Sequence, residues 1–340
     1  MKKHANIPIF IPHLGCPNQC VFCNQRSITG KNEFDPARVD EIIKSSLATI
    51  DENTECEIAF FGGSFTGIDM GLMLKLLEIA HSYVKCGRVK SIRCSTRPDY
   101  INVQILDILK TYGVSVIELG LQSADDQVLS ACKRGHDFFA EECAVKLIKQ
   151  WGFELVGQMM IGLPASTLEK ELKTAEFICN AGADGARIYP TVVFRDTELC
   201  SMAKSGEYIP ISEDEAIIRT AKVLRLFNER GVKVIRVGLC ASENLSNPDS
   251  YFAGPNHSAL GELCENQVFY EIIFDTIQKM KLSANAKVNV SVPNGALSKA
   301  IGQKKKNKLR LTSELSLSEI TFTEDQTLKG YDVRCEERKA

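Results

Sequence analysis

Apolar and polar positions alternate along this chain in blocks that switch between two periods. Short apolar runs of strand length are followed, again and again, by longer stretches with one apolar face at helical spacing. Ile7 to Pro12 is the first run, and a helical pattern follows from Pro36 to Ile50, with Asp35 as cap and Pro36 in the first turn. Glu57 to Phe61 reads as a strand ended by Gly62-Gly63, and Asp69 to Val84 as a helix with Leu72, Leu76, Ile79 and Ala80 on one face. Strands are then expected at Val89 to Cys94, Val114 to Leu119, Phe153 to Met160 and Gly185 to Pro190. The segments between and after them carry helical patterns, the last at Glu213 to Arg230.

Six strand-helix units in this order predict a parallel sheet with helices outside it. A TIM barrel needs eight such units. The expected fold is therefore α/β, a partial (βα)6 TIM-like barrel or an open doubly wound sheet, with its functional face at the carboxyl ends of the strands. Val232 to Leu239 adds one more strand-like run, and Asn256 to Lys279 one more helix. From about Ala284 short strand-like runs, a basic cluster and a polar tail replace the alternation. The expected domains are 1–240 for the barrel, 241–283 for a barrel-associated strand and helix, and 284–340 for a small α+β extension.

Composition changes this picture little. The chain has 340 residues, 44% hydrophobic and 25% charged, as a globular enzyme does. Its formal net charge of −2 argues against wholesale non-specific nucleic-acid binding but leaves room for a local basic patch. The N-terminus has no apolar core of a secretory signal, and no run is long enough to span a membrane, so the expected location is cytoplasmic. Thirteen cysteines in a reducing compartment then point to packing, metal or redox roles rather than disulfides. Cys56, Cys86, Cys143 and Cys179 are expected to be buried packing residues.

The chemistry-bearing segment is His13-Leu14-Gly15-Cys16-Pro17-Asn18-Gln19-Cys20-Val21-Phe22-Cys23, just past the first strand. Three thiolates so close on one loop can converge on an iron-sulfur cube. Three ligands leave one iron open, which a catalytic cluster needs. Zinc would want a fourth ligand, which His13 could supply. Inert packing is the third reading. Phe22 can shield a cluster.

The CxxxCxxC pattern after a first strand resembles the radical SAM superfamily. Later strand ends extend the likeness: Phe61-Gly62-Gly63-Ser64, Cys94-Ser95-Thr96-Arg97-Pro98, Glu118-Leu119-Gly120-Leu121-Gln122, Lys133-Arg134-Gly135-His136, Gln158-Met159-Met160-Ile161-Gly162-Leu163 and Ile188-Tyr189-Pro190. In this order, over about residues 7–215, they are similar to the radical SAM domain of the Elongator catalytic subunit, and more distantly to oxygen-independent coproporphyrinogen III oxidase.

The resemblance implies a [4Fe-4S] cluster on Cys16, Cys20 and Cys23 with S-adenosyl-L-methionine on its open iron. One electron, from a flavodoxin- or ferredoxin-type reductant, would release a 5′-deoxyadenosyl radical that takes hydrogen from a substrate. It also implies that Gly62 and Gly63 hold the methionine amine, Gln122 the ribose, and Arg134 the carboxylate. Gln158 would be a further polar contact, and Gly162 and Leu163 would pack on the adenine. Ser95 stands where the relatives usually carry Glu, and Arg97 is expected to share that contact. The Elongator subunit continues into an acetyltransferase domain; the residues left here after the sixth unit are too few for it, so its acetyl-CoA-dependent reaction is not expected.

Two segments remain. Leu297 to Arg310 holds six basic residues and no acidic one. Its Gly302-Gln303-Lys304-Lys305 is similar to the phosphate-clamping loop of KH modules, without the second glycine; a solvated charged turn is the other reading. Cys240, His257 and Cys264 are candidates for a second metal or for ordinary packing. The leading expectation is a radical SAM enzyme acting on RNA, with transfer RNA as the candidate. The alternatives are a small-molecule or tetrapyrrole substrate, and a non-catalytic metal-stabilised binding module.

Overall fold

The computed structural model describes residues 4–11, 14–16, 20–24, 34–239, 249–283 and 285–338. Seven strands make one parallel sheet in the order β1 (His4–Ile11), β2 (Glu55–Gly62), β3 (Ser91–Thr96), β4 (Val114–Gln122), β5 (Glu154–Ile161), β6 (Gly185–Pro190) and β8 (Lys233–Val237). The first and last strands do not pair, so the sheet is an open, partial barrel of the expected class with a seventh strand added. β7 (Val193–Phe194) lies outside it and pairs antiparallel with β9 (Tyr251–Ala253).

The helices form because each has an apolar face and a proper start. Asp69, Asn102, Asp137, Thr167 and Ser212 each accept a hydrogen bond from a backbone N–H of the first turn that follows. Asp35 caps a 3-10 turn at Pro36–Arg38 that runs straight into the helix Val39–Thr49. The buried faces of these helices meet one set of alternate strand residues, including Ile7, Ile9 and Ile11 of β1, Ile58 and Phe60 of β2, and Ile117 and Leu119 of β4. The other set turns into the barrel lumen. There β2 supplies Glu57 and Phe61, β3 Arg93 and Ser95, β4 Glu118, β5 Gln158, and β6 Arg187 and Tyr189.

Cysteine usage departs from expectation at three positions. Cys86 and Cys143 are exposed, and Cys179 only half-buried, whereas Cys56 is buried as expected. Cys86 is the residue on which the helix Met70–Lys85 ends, and Cys143 lies on a helix whose buried face is Glu141, Ala144, Val145 and Ile148.

The helix α9 (Leu260–Lys279; among the described residues eight helices of at least five residues precede it) joins two cores. Leu260, Cys264 and Val268 belong to the barrel core, and Phe269, Tyr270, Ile273 and Ile277 to a second one. That second core is completed by β10 (Lys287–Pro293), the helices α10 (Leu297–Ile301) and α11 (Lys306–Glu314), and β11 (Glu319–Asp325). β10 pairs parallel with β11 and antiparallel with β12 (Arg334–Glu337). Part of the tail read as merely polar is thus an edge strand. Among the described residues no helix is long and apolar enough to cross a membrane.

Candidate functional site

The cysteine loop leaves the carboxyl end of β1 and is wedged against the loop that leaves β2. Gly63 N donates to Ile11 O at 2.8 Å. A Cβ on Gly63 would stand 2.1 Å from Leu14 O, and one on Gly15 2.1 Å from Ser64 O. The sequence suggested that Gly63 leaves room for a ligand; in the structure the close neighbour is the backbone of the cysteine loop itself. Gly62 has φ +111 and lies against Ile11, a conformation and a space that suit glycine alone.

Cys20 and Cys23 begin and end a tight turn, with Cys23 N donating to Cys20 O at 3.0 Å. Val21 anchors that turn. Its N–H donates to Cys132 O, its carbonyl accepts from Leu199 N, and its side chain joins Val128, Leu163 and Tyr208 in a small core. Phe22 packs against the same core. Cys20 is buried, while Cys16 and Cys23 are half-buried. Burial pushes the Cys16 thiol up, against the pull of a hydrogen bond at the Ser64 backbone and of the nearby Arg97 and Arg134 charges.

Two buried guanidinium groups converge on Cys20. Nη1 of Arg134 lies 3.3 Å from its sulfur and Nη1 of Arg97 3.9 Å. Arg97 is clamped from behind, because Nε and Nη2 donate to the two carboxylate oxygens of Asp99 at 2.9 Å each. Nη2 also meets the Arg134 carbonyl and lies 3.3 Å from His136 Nδ1. His136 Nε2 is 3.2 Å from Glu141, a carboxylate with no exposed surface. Burial favours the neutral imidazole, but the Asp99 and Glu141 carboxylates outweigh it and hold the His136 pKa above its ordinary value. Burial also pushes the Glu141 carboxyl up, to about 7, against the pull of His136. At Asp99 the same burial is overcome by His136 and Arg97, which hold its carboxyl well below the usual range.

Three polar atoms in or beside this cluster have no partner among the described residues: Arg134 Nε, Gln122 Oε1 and the second carboxylate oxygen of Glu141. Arg134 spends Nη2 on Gly120 O at 2.5 Å, yet its Nε is buried and unpaired. Gln122 has a buried, unpaired Oε1 and φ +73, just where the β4–β5 register shifts between Gly120 and Gln122. Buried polar atoms are nearly always satisfied. A strained residue carrying an orphaned acceptor next to an orphaned donor marks a place for a ligand. Gly162 and Leu163 also reach this end of the barrel. Gly162 N donates to Glu171 at 2.7 Å, Tyr208 donates to Gly162 O at 2.6 Å, and Leu163 joins the core that anchors Val21.

Gln158 and Ser95 stand at lumen-facing positions of β5 and β3. Gln158 Nε2 donates to Glu118 at 2.9 Å inside the lumen, and Ser95 stands in register with Glu118. Glu118 also accepts from Arg93 Nη1 at 3.0 Å and from Arg187 Nη2 at 2.9 Å. Arg93 continues to Glu57, which Ser91 and His4 also contact, and Arg187 lies 5.6 Å from the Phe61 ring centroid. This ionic floor across the lumen was not read from the sequence, nor were the roles of Asp99 and Glu141. One charge at an inward position in each of β2, β3, β4 and β6 was the available signal.

Among the described residues no three His, Cys, Asp or Glu side chains gather as a single metal ion would require. His13 and Cys240 lie outside the described residues. His257 Nδ1 accepts from Ala259 N at 3.0 Å, and Cys264 is a fully buried residue of the barrel core. The donor set of the cysteine loop fits an anionic cluster better: three thiols, buried cations aimed at one of them, and unpaired polar atoms alongside.

Comparison with known proteins points the same way. Residues 10–178 match the family model described as Radical SAM superfamily, and residues 183–269 that of the Radical_SAM C-terminal domain. The tRNA uridine(34) acetyltransferase of Methanocaldococcus jannaschii is 29% identical over 250 residues, covering 59% of this chain and 45% of that protein. Elongator complex protein 3 of Mus musculus is 36% identical over 148 residues, 43% of this chain and 26% of that protein. This chain therefore spans half or less of the length of these two relatives. The solved structure of the archaeal Methanocaldococcus infernus Elp3 superposes with a TM-score of 0.60 at 21% identity, covering 84% of this chain and 65% of that one.

Proposed function

The chain belongs to the radical SAM superfamily, and from that premise we propose that it is a radical SAM enzyme whose [4Fe-4S] cluster sits on Cys16, Cys20 and Cys23 and whose substrate is an RNA. The observation that carries the first part is the pair of buried guanidinium groups on Cys20 beside the unpaired Gln122 Oε1 and Arg134 Nε. Bound there, the cluster and S-adenosyl-L-methionine supply a 5′-deoxyadenosyl radical by one-electron cleavage.

The chain's own residues do the positioning. Arg134 Nε, buried without a partner, would meet the methionine carboxylate, and the equally unpartnered Gln122 Oε1 would accept from a ribose hydroxyl. Gly162 and Leu163, braced by Glu171 and Tyr208, wall the adenine. Gly62 and Gly63 act twice over, locking the cysteine loop and presenting backbone to the methionine amine. Gln158 and Ser95 belong to the lumen wall, where the substrate's reacting atom must reach. The ionic floor of Glu57, Arg93, Glu118 and Arg187 closes the lumen below and keeps bulk water from the radical. A flavodoxin- or ferredoxin-type donor would supply the electron that such chemistry needs, and a cytoplasmic location would go with that supply.

RNA is favoured by the names of the relatives and by the small C-terminal unit. Its turn between α10 and α11 leaves Gln303, Lys304, Lys305 and Lys306 exposed. Lys304 and Lys305 take left-handed backbone, and Gly302, at φ +79, lets the turn fold onto Asn307. Asn307 in turn donates to Asn266 O at 2.7 Å, tying the helix pair to α9. The result is an exposed, cationic turn between two helices, able to track a phosphate backbone. Changing Lys304, Lys305 and Lys306 to Glu should weaken transfer-RNA binding and lower the slope of log affinity on log salt by about two or more. An unchanged affinity and slope would remove the RNA part and favour a small-molecule substrate.

A further inference from the structure

Resting on the radical SAM reading, we infer that Arg97 is a positioning residue for the electron step: its clamped guanidinium holds positive charge against the Cys20 sulfur and makes the cluster easier to reduce.

The sequence suggested Arg97 as a partner of S-adenosylmethionine. The geometry assigns its donors otherwise. Asp99, the Arg134 carbonyl and His136 occupy Nε and Nη2, and Nη1 is left facing the Cys20 sulfur at 3.9 Å. Arg134, by contrast, keeps an unpaired Nε. Of the two cations, one is poised for a ligand and the other is committed to the protein.

The commitment is built at both ends of the residue. Its backbone N–H donates to Ser64 Oγ at 3.2 Å, and Ser64 Oγ lies 2.9 Å from Thr96 Oγ1. Ser64 belongs to the very loop whose carbonyl Gly15 presses on, so Arg97 and the cysteine loop share one support. At the other end Asp99 grips the guanidinium by the edge away from Cys20. The cation therefore stands between Asp99 and the sulfur, with the positive group nearer the ligand. His136, backed by Glu141, keeps that edge from swinging.

Such a charge acts on reduction in one direction. One electron enters the cluster from a low-potential donor, no bond forms or breaks, and the cluster becomes more negative by one charge. A buried cation at a ligand sulfur stabilises the reduced form more than the oxidised one, because the attraction grows with the cluster's charge and water is not there to screen it. Arg97 is only 4% exposed. Loss of the charge lowers the reduction potential without removing a cluster ligand.

The test uses the full chain reconstituted anaerobically with iron and sulfide, as wild type, R97Q and R97K. Iron content is measured on each, and the cluster is titrated with dithionite under electron paramagnetic resonance. R97Q should keep its iron and show about a tenfold less favourable reduction equilibrium, ~59 mV for one electron. R97K should fall between it and the wild type. Binding of S-adenosylmethionine to the oxidised cluster should be unchanged in R97Q. An R97Q cluster that titrates at the wild-type potential overturns the inference. So does a loss of S-adenosylmethionine affinity with the potential unmoved, which would return Arg97 to ligand binding. Should R97Q load no cluster, R97K decides, and a wild-type potential in R97K overturns the inference. A wild-type chain that loads no cluster overturns the parent reading as well, whereas a wild type that loads and cleaves S-adenosylmethionine isolates any failure to Arg97.

Discussion

Replacing Glu118 by Leu should cost the fold about 3–5 kcal/mol, and removing Arg187 as well should restore part of it. Glu118 has no exposed surface and binds Arg93, Arg187 and Gln158 at 2.9–3.0 Å. Without it Arg93 still has Glu57, at 2.9 Å from its Nε. Arg187 has no second carboxylate among its described ion pairs, so E118L leaves a nearly buried cation unmatched inside the lumen. Breaking one partner out of a buried pair is what carries the large cost, whereas replacing both by apolar groups of like size is close to neutral. The double variant E118L/R187M should therefore be more stable than E118L alone, with a coupling of about 2 kcal/mol or more in the cycle completed by R187M. Urea unfolding of the apo chain followed by circular dichroism measures all four corners. Additive single effects, or a double variant weaker than E118L, would refute the account of the lumen as a connected ionic floor.

Three more outcomes follow from other parts of the structure. Gly63→Ala brings a Cβ to 2.1 Å from Leu14 O, so the chain should fold with wild-type circular dichroism yet load little iron; full loading would show that the loops are not interlocked. Gln122→Ala removes an acceptor that the protein itself does not use, so apo stability should stay within about 0.5 kcal/mol. Affinity for S-adenosylmethionine, read by calorimetry on the reconstituted chain, should fall about tenfold, and unchanged affinity would remove Gln122 from the site. On acidification, Glu57 should be one of the groups that unfold the barrel. Burial raises its pKa, but Ser91, Arg93 and His4 more than compensate and hold it below the ordinary value. A depressed carboxyl contributes stability that is present above the unfolded pKa and is lost as pH falls through the folded one. Urea midpoints of wild type should therefore drop between about pH 5 and 3 more steeply than those of E57Q, and parallel curves would contradict this.

The barrel was legible because its strands and helices announce themselves locally. Ile58 and Phe60, Ile117 and Leu119, or Leu72 and Leu76 each repeat at a period readable within a few residues, and Asp69 or Ser212 marks a helix start by itself. The cysteine loop was legible for the same reason, since its spacing is contiguous. What escaped depends on register between distant segments. Glu118 meets Arg187 across 69 residues, and Arg97 meets His136 across 39. Nothing in either neighbourhood says which charge faces which. The partner of Gln158 escaped as well, because its parity on β5 turns it to Glu118 across 40 residues. The shift of register at Gln122, and with it the orphaned amide, is likewise a property of two strands together. The edge strand Arg334–Glu337 was missed because three of its four residues are charged and its pairing partner lies far earlier in the chain, at Val288 to Ser291 of β10.

One measurement bears on the central claim most directly. The chain is reconstituted anaerobically with iron and sulfide, mixed with S-adenosylmethionine and dithionite, and the products are separated by chromatography. The account predicts 5′-deoxyadenosine and methionine from the wild type, and neither product nor cluster absorbance from C20A. A wild-type chain that carries the cluster but forms no 5′-deoxyadenosine, or a C20A variant that forms as much as the wild type, would contradict it.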